Sequence, residues 1–282
     1  LAHIGVIEEL EKRGYEISQI AGCSAGALVG GMYASGKIND FRDWICNLDR
    51  IDVFSLMDFT FSSKGFIKGE KVFNALKKVV QDCKIEDLPI PFSCNAVNVK
   101  TGKEHVFREG SLYTAIRASG SIPSVFLPAK VQNQFFIDGG VLNPIPISLL
   151  TQSEDSILVV VDTNGLEEDY ISPPKKDSSG KTFLSMPKWM KEFKQKMKQF
   201  FPDEEKESKE VSYSALDLVT RSFDLLQDRY CEVILEKYPV DILIKISRKQ
   251  AGTLEFHRSA EMIEIGKIKA QEAFKFLEDG NS

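Results

Sequence analysis

The stretch "IAGCSAGALVGG", Ile20 to Gly31, constrains the fold more than any other. An apolar strand runs into Gly22-Cys23-Ser24-Ala25-Gly26, and a helix of small residues leaves it. Glycines two before and two after a serine allow a turn tight enough to thrust the hydroxyl out. Side chains at those glycines would collide with the neighbouring strand and helix. The helix then points its first N–H groups at any oxyanion formed beside the serine. The bare G-x-S-x-G pattern arises by chance in about one chain in ten of this length. Its weight comes from the strand before it and the helix after it; the plainer reading is a glycine-rich connection with a cap serine.

The rest of the chain follows the same alternation. A helix carrying Ile4, Ile7 and Leu10 stops at Gly14, and Tyr15 to Ala21 reads as a strand. Ala25 to Ala34 and Lys71 to Val80 read as helices, with strands at Phe92–Val99 and through Val106-Phe107 about a Thr101-Gly102 turn. A helix over Ser111–Ala118, a loop over Gly120–Pro128 and a strand over Gln134–Ile137 follow. The last elements are a strand at Ile157–Val161, a helix at about Ala215–Leu235, a strand at Asp241–Ile246 and a helix at about Ala260–Leu277. Strands alternating with helices predict an α/β fold, three layers about a mostly parallel sheet. Residues 1–282 read as one catalytic domain, with an insertion at about 166–210 that is rich in Pro, Ser, Lys and Glu.

Charge and cysteines narrow the class. A net charge of −5 argues against a general nucleic-acid binder. The five cysteines, Cys23, Cys46, Cys83, Cys94 and Cys231, are odd in number and lie at neither metal-ligand nor redox spacing. A reducing compartment fits them better than a disulfide scaffold. No apolar run reaches the ~18 residues of a membrane span. The expected setting is cytoplasmic or peripheral to a membrane, and the side before Leu1 stays open to a leader.

A serine hydroxyl needs a base. The histidines are His3, His105 and His257. Only His257 completes the chain order of a Ser–Asp–His triad, and its place before the closing helix suits a surface or cap residue better. A carboxylate is the other candidate. Asp138 stands at a strand end before Gly139 and Gly140 in "FFIDGGVLNPIPISLL". Burial would raise its pKa toward a useful range, and contact with Ser24 would supply the geometry. Alone, Asp138 reads equally as an Asp-Gly turn.

Together the two motifs resemble the patatin-like phospholipase family. "LAHIGVIEELEKRG" is similar to its first helix, "GCSAGALVGGMYASG" to its nucleophile elbow. "KGFIKGEKVFNAL", "FSCNAVNVKTGKEHVFREGSLYTAIRASGSIPSVFLPAK" and "FIDGGVLNPIPI" are similar to later blocks, and Leu166–Glu210 falls outside. The resemblance implies a dyad, Ser24 as nucleophile and Asp138 as base, with no catalytic histidine. It implies hydrolysis of lipid or phospholipid acyl esters through an acyl-enzyme, without metal or organic cofactor. In that family a glycine-rich loop before the first helix supplies oxyanion donors, and this sequence begins after it. The Ala25 N–H is the donor left in view. Since one donor is worth ~10²–10³ in rate, crippled activity and a weakened sheet are expected of this stretch by itself.

Within the insertion, "MPKWMKEFKQKMKQFF" places Trp189, Phe193, Met197 and Phe200 on one helical face, with lysines dominating the others. A basic amphipathic helix of this kind can lie in a lipid headgroup layer; a helix packed on the body is the alternative. Two further readings stay open: a non-catalytic lipid-binding or regulatory module of the same fold, and a Ser–Asp–His hydrolase using His257.

Overall fold

The computed structural model describes residues 1–62, 65–151, 153, 155–172 and 215–280. Contacts divide the chain into two compact units, Leu1–Pro173 with Asp224–Ser282, and Pro174–Phe223. Residues 186–201, with the expected membrane-contact helix, lie outside the described residues. Among the described residues no helix is long and apolar enough to cross a membrane.

The first half runs α1 (Ala2–Lys12), β1 (Ile20–Gly22), α2 (Ala25–Ala34), α3 (Ile38–Cys46), α4 (Arg50–Leu56), β2 (Phe59–Ser62), β3 (Gly65–Ile67), α5 (Glu70–Val79), β4 (Phe92–Asn98), β5 (Lys103–Phe107), α6 (Leu112–Ser119), β6 (Ala129–Val131) and β7 (Gln134–Asp138). The second half adds β8 (Val159–Gly165), α7 (Ala215–Lys237), β9 (Ile242–Ser247) and α8 (Ser259–Gly280).

Strand β4 is buried at every position and organises the sheet. Strand β5 pairs along one edge of it, Cys94 opposite Phe107 to Asn98 opposite Lys103. The other edge is shared. Strand β1 runs parallel to β4 and ends with Gly22 opposite Cys94. Strand β7 runs antiparallel and ends with Asp138 opposite Ala96. The two strands therefore point their C-terminal ends at each other, with Asn95 of β4 between them. That is how residues far apart in sequence come together: Ser24 leaves the end of β1 and Asp138 closes β7.

The α/β architecture is as expected, but the sheet is mixed rather than mostly parallel. In the five-stranded sheet β1–β4 is parallel and β4–β5, β4–β7 and β6–β7 are antiparallel; the antiparallel β2–β3 and parallel β8–β9 pairs are separate two-stranded sheets. Short connections force this, because a tight turn can join only antiparallel strands. Gln132 and Asn133, with φ of 46° and 64°, make the β6–β7 turn. The Asn98 carboxamide accepts from the Lys100 and Thr101 N–H groups in the β4–β5 turn.

The strand expected from Tyr15 shrinks to Ile20–Gly22. Its earlier apolar residues pack elsewhere: Tyr15 on Phe274, and Ile17 in a cluster with Val6, Leu10, Ile242 and Phe274. Helices α1 and α8 close tightly through glycine. A Cβ at Gly5 would lie 1.9 Å from the Ile263 carbonyl oxygen, and one at Gly266 would lie 2.0 Å from that of Ala2. Beside this seam the buried Glu9 carboxylate takes Arg13 at 2.8 Å and Gln271 at 3.0 Å.

Candidate active site

Ser24 sits in the turn between β1 and α2 with φ 52° and ψ −116°. A serine with positive φ costs of order 1–3 kcal/mol, a strain the surroundings must hold. Two contacts hold it. A Cβ at Gly22 would lie 2.5 Å from the Gly26 carbonyl oxygen, so only glycine permits the turn to close. The Ser24 N–H donates to Ser119 Oγ at 2.9 Å, which ties the elbow to the end of α6. Gly26 is less constrained than its symmetrical place suggested: among the described residues a Cβ there would make ordinary contact, 3.5 Å, with His3 Nε2. The Ala25 N–H opens α2 and has no intrahelical acceptor.

Asp138 is 6% exposed. Its N–H donates to the Ser121 carbonyl at 3.0 Å. Its Oδ1 accepts from the Gly140 N–H at 2.8 Å and faces the Cys23 thiol at 3.6 Å. Oδ2 is buried and has no hydrogen bond of ordinary geometry among the described residues. Burial pushes the acid up to about 6; the Ser24 hydroxyl, the Gly140 N–H and the Cys23 thiol pull the other way. The Ser24 hydroxyl thus lies close enough to the carboxylate to stabilise its ionised form.

The acid turn has its own frame. A Cβ on Gly139 would lie 2.4 Å from Asn95 Oδ1, and one on Gly140 would lie 2.7 Å from Gln227 Nε2. Asn95 Nδ2 donates to Glu104 Oε1 and to the Asn143 carbonyl, each at 2.9 Å. Asn143 Nδ2 reaches the same Glu104 oxygen at 2.9 Å. Below the loop after α6, Arg117 donates to Ser121 Oγ at 2.6 Å and to the Lys68 and Leu127 carbonyls at 2.6 and 2.9 Å. Asn95, Glu104, Arg117, Ser119, Ser121, Asn143 and Gln227 were not singled out from sequence. The signal available was polar residues inside otherwise apolar strand and helix patterns, such as Asn95 within "FSCNAVN".

The histidines take other places. His257 Nε2 accepts from Arg50 at 3.1 Å, amid Glu255, Arg258 and Glu261. His105 stacks edge-on against Phe107, its ring 4.5 Å away. His3 lies against the first turn of α2, and burial pushes it down to about 3, so its imidazole is neutral.

Fold and site define an α/β chain with a serine on a strained strand–helix turn, facing a buried acid at the end of a neighbouring strand. The family model described as patatin-like phospholipase matches residues 1–151, and this chain belongs to that family. An uncharacterised NTE family protein of Mycobacterium tuberculosis is 29% identical over 98% of this chain and 88% of its own. The lysophospholipase NTE1 of Kluyveromyces lactis is 28% identical over 60% of this chain and 12% of its own. A crystal structure of VipD from Legionella pneumophila superposes over 97% of this chain and 64% of its own with a TM-score of 0.47 and 13% identity.

Proposed function

We propose that this chain is a serine hydrolase that cleaves acyl esters of lipids, as a phospholipase A or lipid acyl hydrolase, with Ser24 and Asp138 as its reacting pair. The observation that carries this reading is the buried acid, raised to about 6 and stabilised as carboxylate by the Ser24 hydroxyl, beside a serine in a strained turn. Family membership supports the lipid ester as substrate class, as does the likeness to a lysophospholipase.

Asp138 takes the Ser24 proton as Oγ bonds to the ester carbonyl carbon. The Ala25 N–H stabilises the oxyanion that forms. Collapse breaks the carbon–oxygen bond to the leaving alcohol, which takes the proton from Asp138 and leaves the acyl group on Ser24. Water then attacks the acyl-enzyme and gives its proton to Asp138. The acyl–Oγ bond breaks, Oγ recovers that proton, and a fatty acid is released. A carboxyl raised toward neutrality serves both directions of transfer better than one at its ordinary pKa.

The test is direct. Ser24→Ala should abolish ester hydrolysis and labelling by a fluorophosphonate probe. Asp138→Asn should abolish turnover with the fold intact, and His257→Ala should leave near-normal rates. Turnover that survives Ser24→Ala would refute the scheme. A folded protein that neither labels nor hydrolyses would favour the non-catalytic lipid-binding reading. Peripheral membrane contact through residues 186–201 belongs to the same proposal. Trp189→Glu with Phe193→Glu should sharply lower binding to anionic vesicles, and unchanged binding refutes it.

A further inference from the structure

Helix α7 reaches the acid turn through one side chain. Gln227 Nε2 donates to the Gly140 carbonyl at 3.0 Å. The Gly140 N–H is the one that donates to Asp138 Oδ1, at 2.8 Å. Gly140 is therefore gripped on both sides of its Cα, and a side chain there would displace the Gln227 amide.

The direction of that amide is fixed by its other neighbour. Arg248, just past β9, donates to Asp224 Oδ1 at 2.7 Å and also pairs with Asp228. Those acids lie three residues before and one after Gln227 on α7. Both Arg248 Nη atoms stand 3.4 Å from Gln227 Oε1. A guanidinium only donates, so Oε1 must face it and Nε2 must face Gly140. The arginine anchored by two carboxylates thus sets the orientation of the carboxamide that holds the turn.

We propose that Gln227 is a positioning residue for the acid turn: it tethers Gly140, which in turn holds Asp138 by Oδ1 and leaves Oδ2 open. The inference rests on the reading of Asp138 as the base. With the tether cut, the Gly140 N–H drifts, the carboxylate loses its one short hydrogen bond, and the acid is harder to ionise. Among the described residues, the ionisable groups about the turn are Cys23, Cys94 and Glu104 on the sheet side and Asp224, Asp228 and Arg248 on the α7 side.

The experiment compares wild type with Gln227→Met, which keeps the volume and removes the donor, and Gln227→Glu, which keeps an acceptor toward Arg248. Three readings are taken: the ¹³C carboxyl titration of Asp138, assigned by Asp138→Asn; hydrogen exchange at the Gly140 amide; and kcat and KM on a short-chain ester. In folded variants the titration midpoint should move up by about half a unit or more, as expected for losing part of a bond to an ionised group. Gly140 should exchange faster, and kcat should fall severalfold at unchanged KM. An unmoved midpoint with unmoved exchange overturns the proposal. So does loss of fold in both variants, which would make Gln227 structural instead. A wild type without Ser24-dependent hydrolysis would sink the hydrolase reading alone, because titration and exchange still decide the tether.

Discussion

At the scale of single residues, Asp138 carries the clearest consequences. Its pKa is raised by burial from 3.8 to about 6. In the proposed role of base it works ionised, so kcat/KM should fall below pH 6 along a one-proton limb, read from a pH–rate profile. The same shift costs stability. A carboxyl with its folded pKa above its unfolded one supports the fold while protonated, and that support is lost as pH rises through about 6. Two units correspond to about 3 kcal/mol. Asp138→Asn should therefore raise Tm at pH 8, with a gain that shrinks toward pH 4. An equal effect at both pH values would mean that the carboxyl is not strained by burial. Ser119 gives a second check. Ser119→Ala leaves the Ser24 N–H without its acceptor, a loss of about 1–3 kcal/mol read by denaturant melts. Fluorophosphonate labelling should slow with it.

At the scale of elements, the meeting of β1 and β7 on one edge of β4 makes the site. The glycine-flanked turn, the small-residue helix after it and the Asp-Gly-Gly strand end were legible because local sequence dictates them: Gly22 is required by a carbonyl 2.5 Å away, and Gly139 by Asn95. Register was not legible. Whether β7 pairs with β4 parallel or antiparallel depends on which neighbours cover each edge, and no single segment carries that information. Helices α3 and α4 went unread although signals existed. Phe41 and Ile45 are buried at helical spacing, and Asp49 and Asp52 form a reciprocal capping box. The polar frame of Asn95, Glu104 and Asn143 was hidden for a different reason. Each residue alone resembles solvated strand or loop polarity, and only the assembled fold shows two carboxamides sharing one carboxylate oxygen.

At the scale of the whole molecule, the glycine seam between α1 and α8 joins the beginning of the described fold to its end. Gly266→Val would drive a side chain into the Ala2 backbone, and should cost stability at the upper end of ~1–3 kcal/mol, read as a lowered Tm. A Tm equal to wild type would show that the helices separate without penalty. The seam also orders events during synthesis. Ser24 and Asp138 both precede β9, whose Ile242 and Ile244 cover α1, and α8, which completes that cover from Ser259. At roughly 5–20 residues per second, a nascent chain spends several seconds with the α8-facing flank of α1 uncovered. Ribosome-bound intermediates that still lack α8 should thus be clients for holdase chaperones.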